Sequence, residues 1–250
     1  MSIAIETNQL QKLFGQKAAV HNFNLRVPQG SMFGVVGPNG AGKTTALSMI
    51  TGLLQPTAGE ISVLGHSVWP DPLTIKALIG VLPDGIRTFD RLTGAELLRY
   101  TGQLRGLPLH EVQERSDSLL NLLGLTEARN KLITDYSAGM KKKIQLAAAL
   151  IHNPKLIILD EPFEAVDPVS SETIRGILRQ VVVRGGTVVL SSHVMELVEK
   201  LCDSVAIVHQ GTIIAQGSVA EVSGGISLQN RFVELVGGAT QVGDELSWLG

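Results

Sequence analysis

Gly37-Pro38-Asn39-Gly40-Ala41-Gly42-Lys43-Thr44-Thr45 is the most restrictive stretch of this sequence. It follows an apolar, strand-favouring run, Met32 to Val36, and it opens a segment that favours a helix. Strand, glycine-rich turn and helix form a P-loop, in which backbone N–H groups and the helix N-terminus surround phosphates. A glycine-rich turn without a ligand is the weaker alternative, because four fixed residue types coincide here. We therefore expect nucleotide phosphate as the ligand.

Two side chains of this loop suit a nucleotide and its metal ion. Lys43 is expected to contact the β- and γ-phosphates, and the Thr44 hydroxyl suits a hard Mg²⁺ ion, which prefers oxygen ligands. The loop residues predicted to bind the nucleotide are Gly37, Pro38, Asn39, Gly40, Ala41, Gly42, Lys43, Thr44 and Thr45.

Two adjacent acidic residues follow another apolar run. Leu156 to Leu159 predicts a buried strand, and Asp160 and Glu161 come directly after it. Asp160 is placed to hold Mg²⁺, and Glu161 is placed to point at an attacking water. Ligands of open α/β sheets lie outside the carboxyl ends of the strands, so this pair and the P-loop can share one crevice. A solvated acidic turn is the alternative.

The composition limits the class of protein. The 250 residues include 21 Lys and Arg and 23 Asp and Glu, so the net charge of −2 lacks the basic excess typical of nucleic-acid-binding domains. The single cysteine, Cys202, excludes an intrachain disulfide and fits a reducing compartment. No apolar run reaches the roughly 18 residues of a transmembrane helix. We expect a cytosolic, soluble chain that binds no nucleic acid and reaches a membrane only through a partner.

The pattern along the chain predicts an α/β fold. Three runs are almost wholly apolar and indicate central parallel strands: Met32 to Val36, Leu156 to Leu159 and Thr187 to Leu190. More polar runs, such as Ile3 to Glu6 and Val20 to Arg26, suit an antiparallel side sheet. Between Thr93 and His152 the leucines take helical spacing. The predicted fold is a P-loop NTPase core with a mainly parallel sheet, an antiparallel β side sheet and an inserted helical lobe.

Taken in order, these motifs resemble the ATP-binding cassette (ABC) ATPases, the motor subunits of ABC transporters. Gly37 to Thr45 matches the Walker A motif of that family, and Leu156 to Asp160 matches Walker B. Tyr136-Ser137-Ala138-Gly139-Met140 resembles the signature motif, and Val166-Asp167-Pro168 resembles the D-loop. We predict an ABC ATPase domain over residues 1–220, with the helical lobe at about 86–155, and a small C-terminal tail over 221–250.

The resemblance implies a role for each matched residue. It assigns Glu161 to the attacking water and His193, at the switch-histidine position, to the γ-phosphate. Phe14 stands where the family stacks an aromatic ring on adenine. Ser137 and Gly139 would complete the ATP site of a second subunit, which implies a head-to-tail homodimer or heterodimer with ATP between the subunits. The predicted catalytic residues are Glu161, His193 and Lys43.

Cofactors, partners and location follow from the same resemblance. It implies ATP with Mg²⁺, a separate transmembrane permease subunit, a second ABC ATPase subunit, and a peripheral position at the cytoplasmic face of the cell membrane. The Tyr-Ser-x-Gly-Met form of the signature resembles exporter systems. The permease contact is expected at the loop from Asp84 to Phe89 and at the helical lobe through Tyr100.

Two positions depart from the family pattern. In the loop after Ile79 to Leu82 the family usually has Gln, whereas Asp84 stands here. A carboxylate still suits Mg²⁺, so Asp84 joins Thr44 and Asp160 as a predicted metal ligand, but it adds negative charge beside the phosphates. Met140 stands where the signature often has Gln, and a thioether is a poor hydrogen-bond partner.

The helix after the signature-like segment is predicted to begin at Ser137, a good N-cap residue. Lys141, Lys142 and Lys143 lie within about its first turn, where cations oppose the helix dipole. This arrangement hints at a phosphate near the helix end. Three solvated lysines on an exposed face are an equal alternative.

Other functions compete with transport. The main alternative is a soluble ABC ATPase that acts on DNA or ribosomes without a permease, but such relatives typically join two cassettes or carry long coiled-coil insertions, which this chain lacks. A P-loop GTPase is disfavoured because Asn130-Lys131-Leu132-Ile133 lacks the acid that reads guanine. The intact Lys43, Asp160, Glu161 and His193 argue against a regulator that binds nucleotide without hydrolysing it.

Overall fold

The computed structural model describes residues 2–69, 71–85 and 89–238, which form two β-sheets and nine α-helices. The strands are β1 Ile3–Phe14, β2 Lys17–Phe23, β3 Arg26–Pro28, β4 Met32–Val36, β5 Ala58–Val63, β6 His66–Ser67, β7 Ile79–Leu82, β8 Leu156–Leu159, β9 Thr187–Ser192, β10 Ser204–His209 and β11 Thr212–Ser218. The helices are α1 Lys43–Ile50, α2 Pro72–Leu78, α3 Gly94–Leu104, α4 Leu109–Leu122, α5 Ala138–Leu150, α6 Pro168–Val183, α7 Met195–Leu201, α8 Val219–Ser223 and α9 Leu228–Leu235. None of these helices is both long enough and apolar enough to cross a membrane.

The central sheet has the strand order β11-β10-β4-β9-β8-β7, and all neighbours pair in parallel except β10 and β11. The three runs predicted as central strands, β4, β8 and β9, are buried along their whole length. Alternate side chains enter opposite cores, because strand residues point to the two faces in turn. Val188 and Leu190 join the core under the α-helices, and Val189 joins the core between the two sheets. The predicted parallel core is confirmed.

The side sheet is antiparallel, as predicted, with the order β2-β1-β5-β6 and β3 paired with β1. Two of its strands differ from the sequence pattern. The run from Ile3 to Glu6 continues to Phe14 as one strand, because an irregularity near Gln9, whose φ is 45°, bends the strand without ending its pairing. The run from Val20 to Arg26 breaks at Asn24, whose side-chain oxygen accepts a hydrogen bond from the Gln9 N–H at 2.7 Å.

The helical lobe consists of α3, α4 and the first part of α5, and the described chain between Thr93 and His152 contains no strand, as predicted. Thr93 and Glu96 form a capping box at the start of α3. Tyr136 is buried, and its hydroxyl donates to the Ala128 carbonyl at 2.8 Å. This bond fixes the segment that leads into α5.

The chain after β11 packs on the central sheet through α8 and α9. Leu228 at the start of α9 is fully buried, and its N–H donates to Glu199 of α7 at 3.1 Å. The Phe232 ring meets the His209 ring edge-on, with centroids 5.8 Å apart. Residues 239–250 of the predicted tail lie outside the described residues, and the domain boundary at residue 220 stays a prediction.

Candidate active site

Polar residues gather at one edge of the central sheet, where the parallel strands end. Residues 37–45 follow β4, and Asp160 follows β8. His193 follows β9, and Asp84 comes two residues after β7. A cleft of about 630 Å³ lies at this edge, lined by Lys17, Ala18, Ala19, Asn39, Gly40, Ala41, Gly42, Lys43, Thr44, Thr45, Asp84, Glu161, Glu164, His193, Gln210 and Gly211. One crevice thus contains the P-loop with Lys43, the other two predicted catalytic residues, Glu161 and His193, and the predicted metal ligand Asp84.

Backbone contacts hold the P-loop against two neighbouring strands. Gly42 has a φ of 103°, and a Cβ there would lie 2.7 Å from the Ala19 carbonyl oxygen of β2. A left-handed backbone and this close approach both require glycine. The Gly211 N–H, in the turn between β10 and β11, donates to the Ala41 carbonyl at 2.8 Å. The loop is therefore held in place on both sides by the backbone of β2 and of the β10–β11 turn.

The Lys43 side chain is buried and turns back onto its own loop. Its ammonium donates to the Gly37 carbonyl at 2.7 Å and to the Pro38 carbonyl at 3.2 Å. Burial lowers the pKa of Lys43 below its usual 10.5, and the nearby charges of Glu161 and Asp160 oppose that shift. Gly37 and Pro38 therefore contact Lys43 and do not line the cleft themselves. An entering phosphate would offer the ammonium a charged acceptor in place of these carbonyls.

Ser191 of β9 bridges the Asp160 carboxylate and the Glu161 backbone in the Walker B-like segment. Its hydroxyl donates to the buried Asp160 carboxylate, and its oxygen accepts a hydrogen bond from the Glu161 N–H at 3.0 Å. Glu161 itself has a φ of 47°, an uncommon conformation for a residue with a side chain. The sequence did not indicate Ser191, although its position in the strand next to β8 fits this role.

Glu161 lies at the meeting point of the catalytic candidates. Its Oε1 atom is 3.7 Å from Lys43 Nζ and 3.1 Å from His193 Nδ1. The Glu161 side chain is only 13% exposed, whereas the His193 side chain is 43% exposed and faces the cleft. A carboxylate held between a lysine and a histidine at the floor of a cleft is suited to orient a water or accept its proton.

The predicted metal ligands surround a smaller cavity beside the cleft. Thr44, Asp84 and Asp160 line this cavity of about 70 Å³. Their hydroxyl and carboxylate oxygens are the hard ligands that Mg²⁺ prefers. No group of three or more His, Cys, Asp or Glu side chains within the described residues could hold a metal ion alone. The residues present fit an Mg²⁺ ion that takes its remaining ligands from water and nucleotide phosphates.

Asp84 has a partner that the sequence did not reveal. The Lys142 ammonium of α5 lies 3.3 Å from Asp84 Oδ1. Lys141 instead donates to the Thr134 carbonyl and Lys143 to the Ser170 hydroxyl, each at 3.3 Å. The three lysines of the helix end are thus bound within the chain, and Lys142 offsets the extra negative charge that Asp84 brings to the cleft.

The signature-like residues lie away from this cleft. Ser137 caps α5 as predicted, accepting a hydrogen bond from the Met140 N–H at 3.2 Å. Gly139 packs under the chain that follows Glu161, because a Cβ there would lie 2.8 Å from the Ala165 carbonyl oxygen. Neither residue lines the 630 Å³ cleft. The intrachain packing alone gives Gly139 a structural reason to be glycine.

Phe14 lies at the end of β1, just outside the residues that line the cleft. Its side chain is 54% exposed, and the Lys12 ammonium lies 5.4 Å from its ring centre. The neighbouring β2 residues Lys17 to Ala19 do line the cleft. The ring is therefore open to solvent near the rim, and its stacking on adenine stays a prediction.

Six residues that line the cleft were not predicted from the sequence: Lys17, Ala18, Ala19, Glu164, Gln210 and Gly211. Gln210 and Gly211 form the tight turn between β10 and β11, with φ values of 47° and 84°. A Gln-Gly pair one residue after an apolar run was the available signal for a turn at the ligand edge of the sheet. Glu164 is exposed and lines the same cleft.

Comparison with known proteins agrees with this arrangement. The ABC transporter family matches residues 20–164. The linearmycin resistance ATP-binding protein LnrL of Bacillus subtilis is 38% identical over 87% of this chain and 70% of its own length. The structure of an ATP-binding subunit of an ABC transporter has a TM-score of 0.87 at 29% identity and covers 93% of this chain and 99% of that one.

A dimeric ATP-binding cassette in a post-hydrolysis state, bound to ADP and Pi, shares the fold. Its TM-score is 0.80 at 23% identity, over 86% of this chain and 98% of that one. The likeness extends the fold comparison to a cassette seen as a dimer.

Proposed function

Because the chain belongs to the ABC transporter family as an ATP-binding subunit, we propose that it hydrolyses ATP in the 630 Å³ cleft and powers a separate membrane permease. Membership confirms the predicted family, the P-loop fold and the ATPase class. The assignment of individual residues within the cleft is our proposal.

The convergence of Lys43 and His193 on Glu161 carries this proposal. Lys43 would bind the β- and γ-phosphates, exchanging its carbonyl acceptors for phosphate oxygens. Glu161 would orient the attacking water and take its proton, and His193 would contact the γ-phosphate from the open side of the cleft. Backbone N–H groups within residues 39–45, which line the cleft, would hold the phosphates in place during the reaction.

Mg²⁺ is the cofactor that the oxygen ligands of the small cavity suit. Thr44 and Asp160 would bind the ion together with the nucleotide, and Asp84 would be a further ligand from the wall of the same cavity. When bound, the ion would offset the charge of the phosphate oxygens. Ser191 would keep Asp160 oriented, because its hydroxyl donates to that carboxylate.

A head-to-tail dimer accounts for the position of the signature-like segment. Ser137 and Gly139 do not line the cleft of their own chain, so in this proposal they reach the nucleotide of a second subunit. Phe14 would stack on adenine at the rim of the cleft. The dimeric relative shares this fold and supports the proposal. A homodimer and a heterodimer both satisfy it.

The permease would bring the chain to the cytoplasmic face of the membrane. The resistance function in the name of LnrL favours an exporter over a soluble ATPase acting on DNA or ribosomes. Phe89 and Tyr100, which are exposed and stack edge-on with centroids 5.4 Å apart, belong to the described part of the proposed permease contact. Residues 86–88 of the expected contact loop lie outside the described residues.

Mild detergent extraction of native membranes that carry the tagged chain tests the transport proposal. We expect a protein with several membrane spans to co-purify in fixed stoichiometry, and we expect the complex to hydrolyse ATP with Mg²⁺. A chain that hydrolyses ATP but is recovered entirely without a membrane partner would favour the soluble-ATPase alternative.

A further inference from the structure

Asp84 occupies the boundary between two cavities of the candidate site. It lines the main cleft together with the P-loop, and it lines the small cavity together with Thr44 and Asp160. Its side chain is 41% exposed, so a carboxylate oxygen is accessible to a ligand. Any cation or phosphate that enters beside Thr44 therefore comes under the influence of the Asp84 charge.

Lys142 is tied to this carboxylate more tightly than an ordinary surface lysine. Its side chain is only 11% exposed, and Asp84 is the acceptor that its ammonium finds among the described residues. A largely buried ammonium without an anion would be unfavourable, because burial removes its hydration. The pair thus holds Asp84 in one place, and it joins the loop after β7 to the helix that begins at Ser137.

This ion pair should strengthen the binding of a metal-free nucleotide and weaken the binding of Mg²⁺ beside it. Without a cation, Lys142 cancels the negative charge that would otherwise repel phosphates at the cleft edge. With Mg²⁺ present, the same ammonium competes with the ion for the Asp84 carboxylate. At separations of several ångströms near a protein surface, such terms amount to about 1 kcal/mol or more, which is about a fivefold change in affinity.

Resting on the proposed function, we propose that Lys142 is a positioning residue for Asp84, and that their ion pair sets how strongly nucleotide binding depends on Mg²⁺. Lys142 touches neither the cleft nor the small cavity and acts through Asp84. Because Lys142 neutralises Asp84, this carboxylate can lie beside the phosphates with little repulsion before the cation binds.

The test measures binding of a fluorescent ATP analogue, first in EDTA and then across an Mg²⁺ titration. Lys142→Met is expected to weaken metal-free binding about 3- to 10-fold and to increase the enhancement by Mg²⁺ by a similar factor, because Asp84 is released. Asp84→Asn is expected to reduce the Mg²⁺ enhancement. In the Asp84→Asn background, Lys142→Met should no longer change the Mg²⁺ enhancement, since its effect passes through the carboxylate.

Lys141→Met is the matched control, because it removes the same charge from the adjacent residue of α5, whose ammonium contacts only the Thr134 carbonyl among the described residues. It should leave both binding constants within about twofold of wild type. Lys142→Arg keeps a cation beside Asp84, so its metal-free binding and its Mg²⁺ enhancement should both stay close to wild type. Equal behaviour of the Lys141 and Lys142 variants, or an undiminished Lys142→Met effect without the Asp84 carboxylate, would overturn the proposal while ATP binding itself remained intact. A chain that binds no nucleotide in any variant would contradict the proposed function instead.

Discussion

At the residue scale, the site depends on a buried charge and a strained backbone, each of which lowers the stability of the folded chain. The Lys43 ammonium is buried among carbonyls at the start of α1, and Glu161 adopts a positive φ two residues after the apolar strand β8. Buried charges are tolerated when they are paired, and here the lysine, the glutamate and His193 compensate one another. Removing one member should therefore have a larger effect than removing an exposed charge of the same cleft.

Lys43→Met tests this difference. We expect ATP affinity to fall about 10-fold or more, because the ammonium is lost from the phosphate site and Glu161 is left with less compensation. Lys17→Met is the matched control, since Lys17 lines the same cleft but is exposed. Equilibrium binding of a fluorescent ATP analogue to both variants measures the effect. Similar losses in the two variants would mean that the cleft responds to overall charge and not to Lys43.

At the element scale, the junction of α5 with β7 contains a histidine that resists protonation. His152 follows α5, and its Nε2 atom lies 3.1 Å from the Ile79 carbonyl oxygen. Burial lowers the pKa of His152 from 6.5 to about 4, and Arg105 adds to the shift. The neutral ring donates to Ile79 and keeps the helical lobe against the edge strand of the sheet.

This histidine predicts a pH dependence of stability. Between pH 6.5 and about 4, His152 is protonated in the unfolded chain but stays neutral in the folded chain. The free energy of unfolding should therefore fall as the pH falls through this window. Urea unfolding at pH 7.5, 6.5 and 5.5 would measure the slope. His152→Gln retains a donor for Ile79 without a titrating group, and it should flatten the slope above pH 5. An unchanged slope in the variant would exclude His152 as its cause.

Elements with a strong local signal were predictable, and contacts between distant elements were not. The apolar runs of β4 and β8 fix their burial and parallel pairing, and the cap at Ser137 fixes the start of α5. The irregularity near Gln9 escaped prediction because polar residues interrupt the strand pattern there. The pair of Asp84 with Lys142 joins residues 58 positions apart, and no local pattern encodes that distance.

At the scale of the whole molecule, the account requires two chains for one working ATP site. The Walker A and Walker B residues of one chain lie in its own cleft. Ser137 caps the N-terminal end of α5 and does not line that cleft. A cap substitution such as Ser137→Ala costs about 1 kcal/mol of stability, which a 250-residue chain should tolerate. Gly139 is a poorer choice for substitution, because any side chain there meets Ala165.

Mixed dimers test this division of labour. A Lys43→Met chain paired with a Ser137→Ala chain places both defects in one composite site and leaves the other site intact. A doubly substituted chain paired with a wild-type chain has one defect in each site. We expect MgATP hydrolysis to persist in the first pairing and to be largely lost in the second, measured on dimers purified with two different tags. Equal activity in the two pairings would contradict the shared site.

Glu161→Gln separates ATP hydrolysis from ATP binding when turnover and nucleotide binding are both measured on the variant. The amide keeps the size of the side chain but cannot accept the proton of a water, so we expect MgATP hydrolysis to fall about 10²-fold or more. Binding of ATP should be retained, because the P-loop and Lys43 are unchanged. Retained binding with lost turnover would support Glu161 as the group that prepares the attacking water. Near-wild-type turnover in the variant would contradict it and remove Glu161 from the reaction.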